Sequence, residues 1–382
     1  MRVVMISKAL VVGAYQRKLE ELAGLPDVEL AAIVPPAWRD RRGRVTVERA
    51  HVRGYELIVA PIAFNGSYHL HFYPTLGRIL RRLRPDIVHM DEEPYNMATW
   101  QGLRLAEAVR ARGLFFTWQN LNRRYPWPFR HFEQANYRRA GWAIAGNRAA
   151  ADVLVAKGYR GPITVIPQFG VDPEHFSPAA AEDAAPAPPC DEPAAAPFRI
   201  GYAGGLIPEK GVDLLLRACA ALPDRNWQLV LLGEGPARAR LADLAGALGI
   251  AAQVTFPGHC PSTRMPEVYR TFDVLVLPSI SRPNWIEQFG RVLVEAMACG
   301  VPVVGSTCGE IPNVIGEAGL IFPEGDALAL RDALIRLMAD PSLRRTLAEA
   351  GRARVLAHFT QAQVAAATYR IYRALISQRE TT

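Results

Sequence analysis

Two glutamates near residue 290 have the types and spacing to do chemistry. Glu287 and Glu295 flank Gly290 within the stretch PSISRPNWIEQFGRVLVEAMACGVPVVGSTCGEIPNVIG (278–316). Gly290 predicts the start of a helix that runs to about Cys299, and the exposed N–H groups of such a start suit a diphosphate. Carboxylates beside it can accept hydrogen bonds from vicinal hydroxyls. A lone glutamate would more often be an arginine partner, so the interpretation depends on the pair.

Alternating short apolar and longer amphipathic segments predict the elements that position these residues. In the first half the predicted strands are RVVMI, LAAIV, LIVAP, DIVHM and LFFTW, with helices near 76–84 and 101–112. In the second half they are FRIGYAG, WQLVLLG, VTFPG, VLVLP and VPVVG, with helices near 211–222, 236–248, 265–271 and 290–299. This alternation predicts an α/β fold of two Rossmann-like, doubly wound domains with an interdomain cleft.

The segment 179–197 separates the two halves. It is nearly all Ala, Pro and acid, so it has too few bulky apolar residues to offset the entropy of ordering it. We predict a linker over 178–197 between domains at 1–177 and 198–358. Residues 359–382 predict a helix that finishes the second domain or crosses back to the first.

Four stretches in order along the chain carry a family resemblance. They are IPQFGVDPEHFSP (166–178), GYAGGLIPEKG (201–211), LLGEGP (231–236) and the glutamate pair followed by AMACGVPVV. One glycine turn is weak evidence, but the set resembles the retaining glycosyltransferases of family 4 (glycosyltransferase group 1). The resemblance implies the two-domain GT-B fold and transfer of a hexosyl unit from a UDP- or GDP-sugar to a lipid-linked or glycan acceptor.

The resemblance also implies roles for residues of the second, donor-binding domain. Lys210 would neutralise phosphate charge, Glu287 would hold hydroxyls of the transferred sugar, and Glu295 would hold the ribose. Lys210 and Glu287 are the expected catalytic residues, although a solvated turn lysine is the plain alternative for Lys210. The expected donor-binding set is Gly204, Gly205, Lys210, Gly233, Glu287, Phe289, Gly290, Arg291 and Glu295.

The chain departs from the family pattern at two places. Gly205 stands where the family usually has a phosphate-binding arginine, and Arg291 is the nearest replacement by sequence. In the first domain TWQN (117–120) stands where many relatives carry a histidine. A glutamine does not titrate, so no acid–base role is expected there, but Gln119 or Asn120 can hydrogen-bond a sugar.

The acceptor is expected on the first domain, where the candidate contacts are Gly13, His89, Gln119 and Asn120. Gly13 lies in the loop KALVVGAYQRK (8–18) after the first strand. His69 and His71 form a His-x-His pair, for which ordinary polar residues are favoured over a metal site.

The resemblance implies retention, and we expect the leaving phosphate oxygen to take the acceptor proton. Lys210 and the predicted helix start would stabilise that leaving group without a metal. No Asp-x-Asp lies at a predicted strand end, where Asp91-Glu92-Glu93 comes nearest. We therefore predict no metal and no cofactor.

Charge is unevenly distributed along the 382 residues. The formal net charge is +7, and residues 1–177 hold 25 Lys and Arg against 16 Asp and Glu. Basic clusters in this half are Arg39/Arg41/Arg42/Arg44, Arg81/Arg82/Arg84 and Arg123/Arg124. These clusters suit an anionic partner, either a membrane surface or a charged acceptor, although a solvated arginine-rich face explains them equally well. The aromatic, arginine-rich stretch 118–142 suits a membrane interface, but buried aromatics with exposed arginines are an equally frequent explanation. No nucleic-acid-binding motif is present.

Five cysteines without metal-type spacing, and an N-terminal apolar stretch without a cleavage site, favour a reduced, cytoplasmic location. A peripheral position at the inner face of the plasma membrane stays open. The alternatives to transfer are a sugar-nucleotide epimerase of the same fold and a non-catalytic sugar-nucleotide binder. A nicotinamide oxidoreductase is disfavoured because residues 5–20 contain only one glycine, Gly13.

Overall fold

The computed structural model describes residues 1–40, 43–178 and 196–380. The chain divides into two compact units. Unit 1 comprises Met1–Gly170 with Gln361–Thr382, and unit 2 comprises Val171–Thr360. Arg41, Arg42, Cys190 and most of the predicted linker lie outside the described residues.

Unit 1 is built on a seven-stranded parallel sheet in the order β5-β2-β1-β6-β7-β8-β9. The nine strands of the unit are β1 (Arg2–Ile6), β2 (Glu29–Val34), β3 (Ala37–Asp40), β4 (Gly43–Thr46), β5 (Glu56–Val59), β6 (Ile87–Met90), β7 (Arg112–Thr117), β8 (Trp142–Ala145) and β9 (Ile163–Val165). Strands β3 and β4 form a separate antiparallel hairpin. The central strand β6 is buried along its whole length, as expected of a parallel sheet covered on both faces.

Five helices connect these strands: α1 (Arg17–Ala23), α2 (Leu76–Leu83), α3 (Met97–Ala108), α4 (Phe129–Arg139) and α5 (Arg148–Ala156). Two 3₁₀ turns, Ala9–Val11 and Gly13–Gln16, follow β1. Because β1 pairs with β2 on one side and β6 on the other, the chain reverses its winding direction between β1 and β6. In doubly wound sheets ligands bind at such a point, outside the carboxyl ends of the strands.

Unit 2 contains a six-stranded parallel sheet in the order β12-β11-β10-β13-β14-β15. Its strands are β10 (Phe198–Ala203), β11 (Trp227–Leu232), β12 (Val254–Gly258), β13 (Val274–Leu277), β14 (Val303–Ser306) and β15 (Leu320–Phe322). Its helices are α6 (Val212–Ala220), α7 (Arg238–Ala247), α8 (Met265–Tyr269), α9 (Arg291–Ala298), α10 (Ile311–Ile315), α11 (Ala327–Ala339) and α12 (Pro341–His358). The equivalent reversal of winding lies between β10 and β13.

The last helix, α13 (Gln361–Glu380), packs beside α1 in unit 1. Its apolar side chains Val364, Ile371, Tyr372 and Leu375 are buried in the same core cluster as residues of β1 and β2. The hydroxyl of Tyr372 lies 2.7 Å from Nδ1 of His89 on β6. The end of the chain therefore completes the core of the unit in which the chain begins.

The α/β, doubly wound fold predicted from the sequence is confirmed. All ten predicted strands are present, whereas β8, β9, β15 and the β3–β4 hairpin were not predicted. Strands β9 and β15 are three residues long and only partly buried. The compact units divide at Gly170–Val171, and Val171 and Phe176 are buried in the core of unit 2. The predicted domain bounds at residues 177, 198 and 358 stay predictions. Among the described residues, no helix combines the length and apolar character needed to cross a membrane.

The contact between α13 and β6 gives a stability prediction. Burial holds the pKa of His89 well below its usual range, and the charge of Lys18 acts in the same direction. We expect Tyr372→Phe to lower the free energy of unfolding by about 1–3 kcal/mol, because Nδ1 of the buried His89 loses its partner. Urea denaturation would measure the change. The control Arg373→Ala, on the exposed side of α13, should stay within about 0.5 kcal/mol of wild type. Equal effects of the two substitutions would contradict the hydrogen bond between Tyr372 and His89.

Candidate functional site

Two glycine turns contact each other through their backbones at the carboxyl edge of the unit 2 sheet. The Gly204 N–H, after β10, donates to the Leu232 carbonyl at 2.9 Å. Gly233, after β11, has φ 141°, and a Cβ there would lie 1.8 Å from the Gly204 carbonyl oxygen. A Cβ on Gly235 would lie 2.3 Å from the Leu206 carbonyl oxygen. Both positions therefore require glycine, and the turns present main-chain groups to any ligand at this edge.

Gly205, where the family pattern usually has an arginine, borders open space. A Cβ built there meets no heavy atom within 4 Å, and its carbonyl accepts a 2.8 Å hydrogen bond from the Tyr202 hydroxyl. The turn thus keeps its shape without an arginine side chain.

Lys210 and Glu287 are in direct contact. Lys210 ends the 3₁₀ turn Pro208–Lys210, and its Nζ lies 2.6 Å from Oε2 of Glu287. The same carboxylate oxygen accepts a 2.8 Å hydrogen bond from the Ser279 hydroxyl, directly after β13. The ring of Trp285 lies beneath the ammonium, with its centroid 5.3 Å from Nζ. The side chain of Lys210 keeps 19% of its surface exposed, so the ammonium is held in place but accessible to a ligand.

Close backbone approaches hold the loops that carry this pair. Gly211 has φ 64°, and a Cβ there would lie 2.0 Å from the Pro278 carbonyl oxygen. A Cβ on Gly309 would lie 2.2 Å from the carbonyl oxygen of Glu287. That carbonyl accepts a hydrogen bond from the Glu310 N–H at 3.1 Å. The loop around Glu287 is therefore positioned from both sides by contacts that exclude side chains.

Glu295 belongs to a second cluster, on α9. Gly290 caps this helix at φ 78°, and Arg291 is its first residue. The Arg291 Nε donates to Oε1 of Glu295 at 2.7 Å, and the Tyr269 hydroxyl donates to Oε2 at 2.8 Å. Burial and the Glu295 charge raise the pKa of Tyr269 well above its usual range. Contact of Glu295 with a ribose, and of Arg291 with phosphate, stay predictions, as does a role for the backbone at Phe289.

The acceptor candidates of unit 1 have different partners within the unit. The Gly13 N–H donates to Oε2 of Glu48 at 2.6 Å, and a Cβ on Gly13 would lie 2.7 Å from Cβ of Ala50. This close packing is sufficient reason for a glycine at position 13, so no bound ligand is needed to explain it. His89 is buried beneath α13, as described above, and its contact with Tyr372 likewise needs no ligand.

Gln119 is buried beside an ion pair between Lys157 and Glu133, whose Nζ and Oε1 are 2.7 Å apart. With its amide oriented so that the oxygen faces Lys157, it accepts from Nζ at 2.7 Å and donates to Glu133 at 3.3 Å. Asn120, next in the chain, is partly exposed. Gln119 thus bridges two charged residues of its own unit, and Asn120 stays an acceptor candidate.

The acidic run Asp91-Glu92-Glu93 follows β6. By its sequence it was only the nearest approach to an Asp-x-Asp metal motif, but in the structure its side chains have partners of other kinds. Glu92 pairs with Lys8, which follows β1, and Glu93 accepts hydrogen bonds from Thr117 and Trp118 at the end of β7. Burial opposes ionisation of Glu92, but the charges of Lys8 and His71 outweigh it and lower its pKa to about 2. The sequence did contain one sign of this site. Lys8 and the acids each come directly after a predicted strand, and these two strands, β1 and β6, are neighbours in the sheet.

The two histidines of the His-x-His pair lie in different surroundings. The ring of His69 packs among Tyr95, Tyr125 and Phe129, with centroids 4.9–5.8 Å away. The ring of His71 is buried and faces Glu92. Across residues 1–40, 43–178 and 196–380, no three His, Cys, Asp or Glu side chains are grouped to hold a metal ion.

Comparison with known proteins relates both halves of the chain to one group of enzymes. Residues 192–354 match the family described as glycosyl transferases group 1, and residues 27–175 match glycosyltransferase family 4. The D-inositol 3-phosphate glycosyltransferase of Streptomyces bingchenggensis is 32% identical over 252 residues, which cover 60% of this chain and 52% of that protein.

A second relative, from Mycolicibacterium smegmatis, is named GDP-mannose-dependent alpha-(1-6)-phosphatidylinositol monomannoside mannosyltransferase. It is 35% identical over 153 residues, which cover 38% of this chain and 40% of that protein. The chain therefore spans about half the length, or less, of these curated relatives.

Solved structures share the fold. HepE of Anabaena, in complex with UDP, superposes with a TM-score of 0.75 at 18% identity, over 98% of this chain and 100% of that one. Sucrose-phosphate synthase from Thermosynechococcus elongatus gives 0.72 at 22% identity, over 99% and 100%. At these identities the likeness concerns the fold alone.

The contact between the two glycine turns can be tested by adding a single methyl group. We expect Gly233→Ala to destabilise the protein by about 3 kcal/mol or more, because the new Cβ meets a backbone oxygen and the residue has positive φ. Gly246→Ala is the matched control in α7, where a Cβ meets nothing within 4 Å, and it should be neutral or stabilising by up to about 1 kcal/mol. Denaturant unfolding compares the two. Similar midpoints would show that the turns do not touch as described.

Proposed function

The chain belongs to the group 1 glycosyltransferases of the family 4 type, which have the GT-B fold, and on that basis we propose that it transfers a hexosyl unit from a nucleotide-sugar to a hydroxyl of an acceptor. One observation carries the proposal: Lys210, in the loop that begins with the Gly204 turn, forms an ion pair with Glu287, three residues before the cap of α9. A diphosphate needs cations and N–H donors, and a sugar needs hydrogen-bond acceptors. At this edge of unit 2 one ion pair supplies a cation, Lys210, and a hydrogen-bond acceptor, Glu287.

In the proposed donor complex the diphosphate lies against the glycine turns at Gly204 and Gly233 and the N–H groups at the start of α9. An ammonium has three donors, so Lys210 can contact Glu287 and a phosphate oxygen together. Glu287 then accepts hydrogen bonds from hydroxyls of the transferred sugar. Glu295, one turn into α9, accepts from the ribose while Arg291 and Tyr269 hold its carboxylate.

Transfer requires stabilisation of negative charge on the departing nucleoside diphosphate. As the bond from the anomeric carbon to the phosphate oxygen breaks, its electron pair stays on that oxygen, near Lys210 and the positive end of α9. The acceptor oxygen bonds to the anomeric carbon from the same face, and its proton passes to the leaving oxygen. We propose that the configuration is retained and that neither metal nor cofactor is needed.

We propose a UDP- or GDP-sugar donor and an acceptor that is lipid-linked or part of a glycan. The name of one relative supports a GDP-sugar and a lipid-linked acceptor. Two kinds of relative are named, an inositol phosphate glycosyltransferase and a GDP-mannose-dependent enzyme acting on a phosphatidylinositol mannoside. Transfer is favoured over epimerisation by the pair Glu287 and Glu295 together with Lys210. Product analysis with a labelled donor separates the two, since only transfer moves the label to an acceptor. The anomeric NMR signal of the transferred sugar in the product reports retention or inversion.

A lipid-linked acceptor would bring unit 1 to a membrane surface. Large aromatic side chains of this unit are exposed, with Trp127 at 83% and Phe64 at 63%. Arg123 and Arg124, close to Trp127 in the chain, are exposed as well. Rings and cations together suit the headgroup region of an anionic leaflet. We place the enzyme in the cytoplasm, peripheral to the inner face of the plasma membrane.

Donor binding can be tested by thermal shift with a panel of UDP-glucose, UDP-N-acetylglucosamine and GDP-mannose. One donor at 100 times its dissociation constant should stabilise wild type by about 2.7 kcal/mol, with excess EDTA present. Lys210→Ala and Glu295→Ala should each abolish the shift, because they remove the phosphate cation and the ribose acceptor. Each shift is measured from the variant's own melting point without ligand, which Glu295→Ala should lower because the buried Tyr269 hydroxyl loses its partner.

Arg331→Ala, on α11, is the control and should keep the full shift. An undiminished shift in both site variants would refute the assignment of the donor site. A shift that EDTA removes would refute metal independence.

Membrane contact can be tested by co-sedimentation with phosphatidylcholine vesicles that contain or lack about 30% phosphatidylserine. We expect binding only to the anionic vesicles, with weakening at high salt, because exposed charges are screened. Trp127→Ala with Arg123→Ala and Arg124→Ala should reduce it. Substitution of Arg331 and Arg336, both in unit 2, is the matched control. Equal binding to neutral vesicles, or no binding, would overturn the peripheral position.

A further inference from the structure

Three consecutive acids follow β6, and each has different partners. Asp91 lies 3.7 Å from the buried Lys18, measured from Oδ1 to Nζ. Glu92 forms an ion pair with Lys8 through its side chain, and it accepts the Lys8 backbone N–H at 2.9 Å. Glu93 has neutral partners. The first two acids thus neutralise the two lysines at this edge of unit 1, and the third adds a negative charge.

The carboxylate of Glu93 is fixed at the end of β7. The Thr117 hydroxyl donates to Oε2 at 2.6 Å, and the Trp118 backbone N–H donates to Oε1 at 2.8 Å. In the part of the chain that the structure describes, no cation lies within ion-pair distance of Glu93. Glu93 is partly buried, and a carboxylate that is partly desolvated without a cation costs stability, so it is more typical of a functional site than of packing.

Burial raises the pKa of Glu93 to about 7, against the hydrogen bonds from Thr117 and Trp118 and the charge of Lys8, and Glu92 adds to the rise. The other titratable groups facing Glu93 are Tyr95 in the same loop, Tyr125 in the loop before α4, and Tyr137 on α4. At neutral pH its charge therefore responds to small changes in proton concentration.

A second observation also indicates a ligand here. The His71 ring is fully buried, its Nδ1 lies 3.0 Å from the Ser67 carbonyl, and its Nε2 has no hydrogen-bond partner among the described residues. That Nε2 points at Oε1 of Glu92 from 3.7 Å. The rings of Trp38 and Tyr68 lie 5.6 and 5.8 Å from the Lys8 ammonium. The surroundings of the acids thus combine aromatic faces with a buried histidine nitrogen that faces Glu92 and has no hydrogen-bond partner among the described residues.

The position of this group fits a substrate site. Lys8 follows β1, the acids follow β6 and Thr117 ends β7, so the group spans the point where the unit 1 sheet reverses its winding. Glu93 also contacts the TWQN stretch, through the Thr117 hydroxyl and the Trp118 backbone N–H. In the same stretch the Gln119 side chain is engaged with Lys157, so Glu93 is the acid held at this strand end.

We propose that Glu93 binds a hydroxyl of the acceptor, and that the acceptor group held there is a neutral, hydroxyl-rich sugar or polyol rather than a phosphorylated one. This rests on the proposed transfer function. A hydroxyl donates its hydrogen to a carboxylate, which orients its oxygen lone pairs for attack. A phosphate would find both lysines already paired and would face the unpaired charge of Glu93.

The test uses the full-length protein, the donor found by thermal shift, and matched acceptor pairs: myo-inositol with inositol 3-phosphate, and methyl hexosides with their 6-phosphates. For wild type we expect kcat/KM to favour the neutral member of a pair at least tenfold. It should rise with pH through about 7, since the ionised carboxylate accepts the hydroxyl hydrogen.

Glu93→Gln should raise the acceptor KM at least tenfold and flatten the pH profile, and Glu93→Asp should restore part of the pH dependence. The donor-induced thermal shift should stay at its wild-type size in both variants. Glu107→Gln, an exposed glutamate on α3, is the matched control and should behave as wild type.

A Glu93→Gln variant with wild-type acceptor KM and pH profile would overturn the proposal, as would preference for the phosphorylated members or no transfer to any neutral one. Absence of a donor-induced shift in wild type would instead overturn the proposed function itself.

Discussion

The ammonium of Lys210 and the carboxylate of Glu287 lie 2.6 Å apart, although neither residue belongs to a strand or an α-helix. Their meeting depends on backbone contacts that admit no side chain, at Gly211 against Pro278 and at Gly309 against Glu287. Loops held in this way, with Ile286 and Phe289 packed against the core of unit 2, keep a cation and an acid at one place. The donor chemistry proposed for unit 2 depends on that constraint.

The two parallel sheets use their carboxyl edges differently. In unit 2 the edge consists of glycine backbone, an accessible lysine and the start of α9, which suits an anion. In unit 1 the lysines at the corresponding edge are paired with acids, and Glu93 leaves a negative charge, which suits hydroxyl donors. One architecture therefore supports two kinds of recognition, because ligand chemistry resides in the loops after the strands and not in the sheet.

Particular elements show how far the pattern of residues predicts this protein. Long apolar segments such as those of β1, β10 and β13 are recognisable because both faces of a parallel strand are buried. The three-residue strands β9 and β15 are only partly buried, so their composition resembles that of loops. Local composition does not show that Val171 and Phe176 are buried in unit 2, because their burial depends on a core formed by distant segments.

The sequence alone determined the class of fold, the order of its motifs and the identity of Lys210, Glu287 and Glu295 as residues of interest, because local spacing and composition encode these features. Only the tertiary structure decided which side chains meet. It placed His89 beneath α13, joined Gln119 to Lys157, and brought Glu93 to the end of β7. These pairings depend on which strands lie side by side, and strand order is a property of the folded sheet that residue spacing along the chain does not contain.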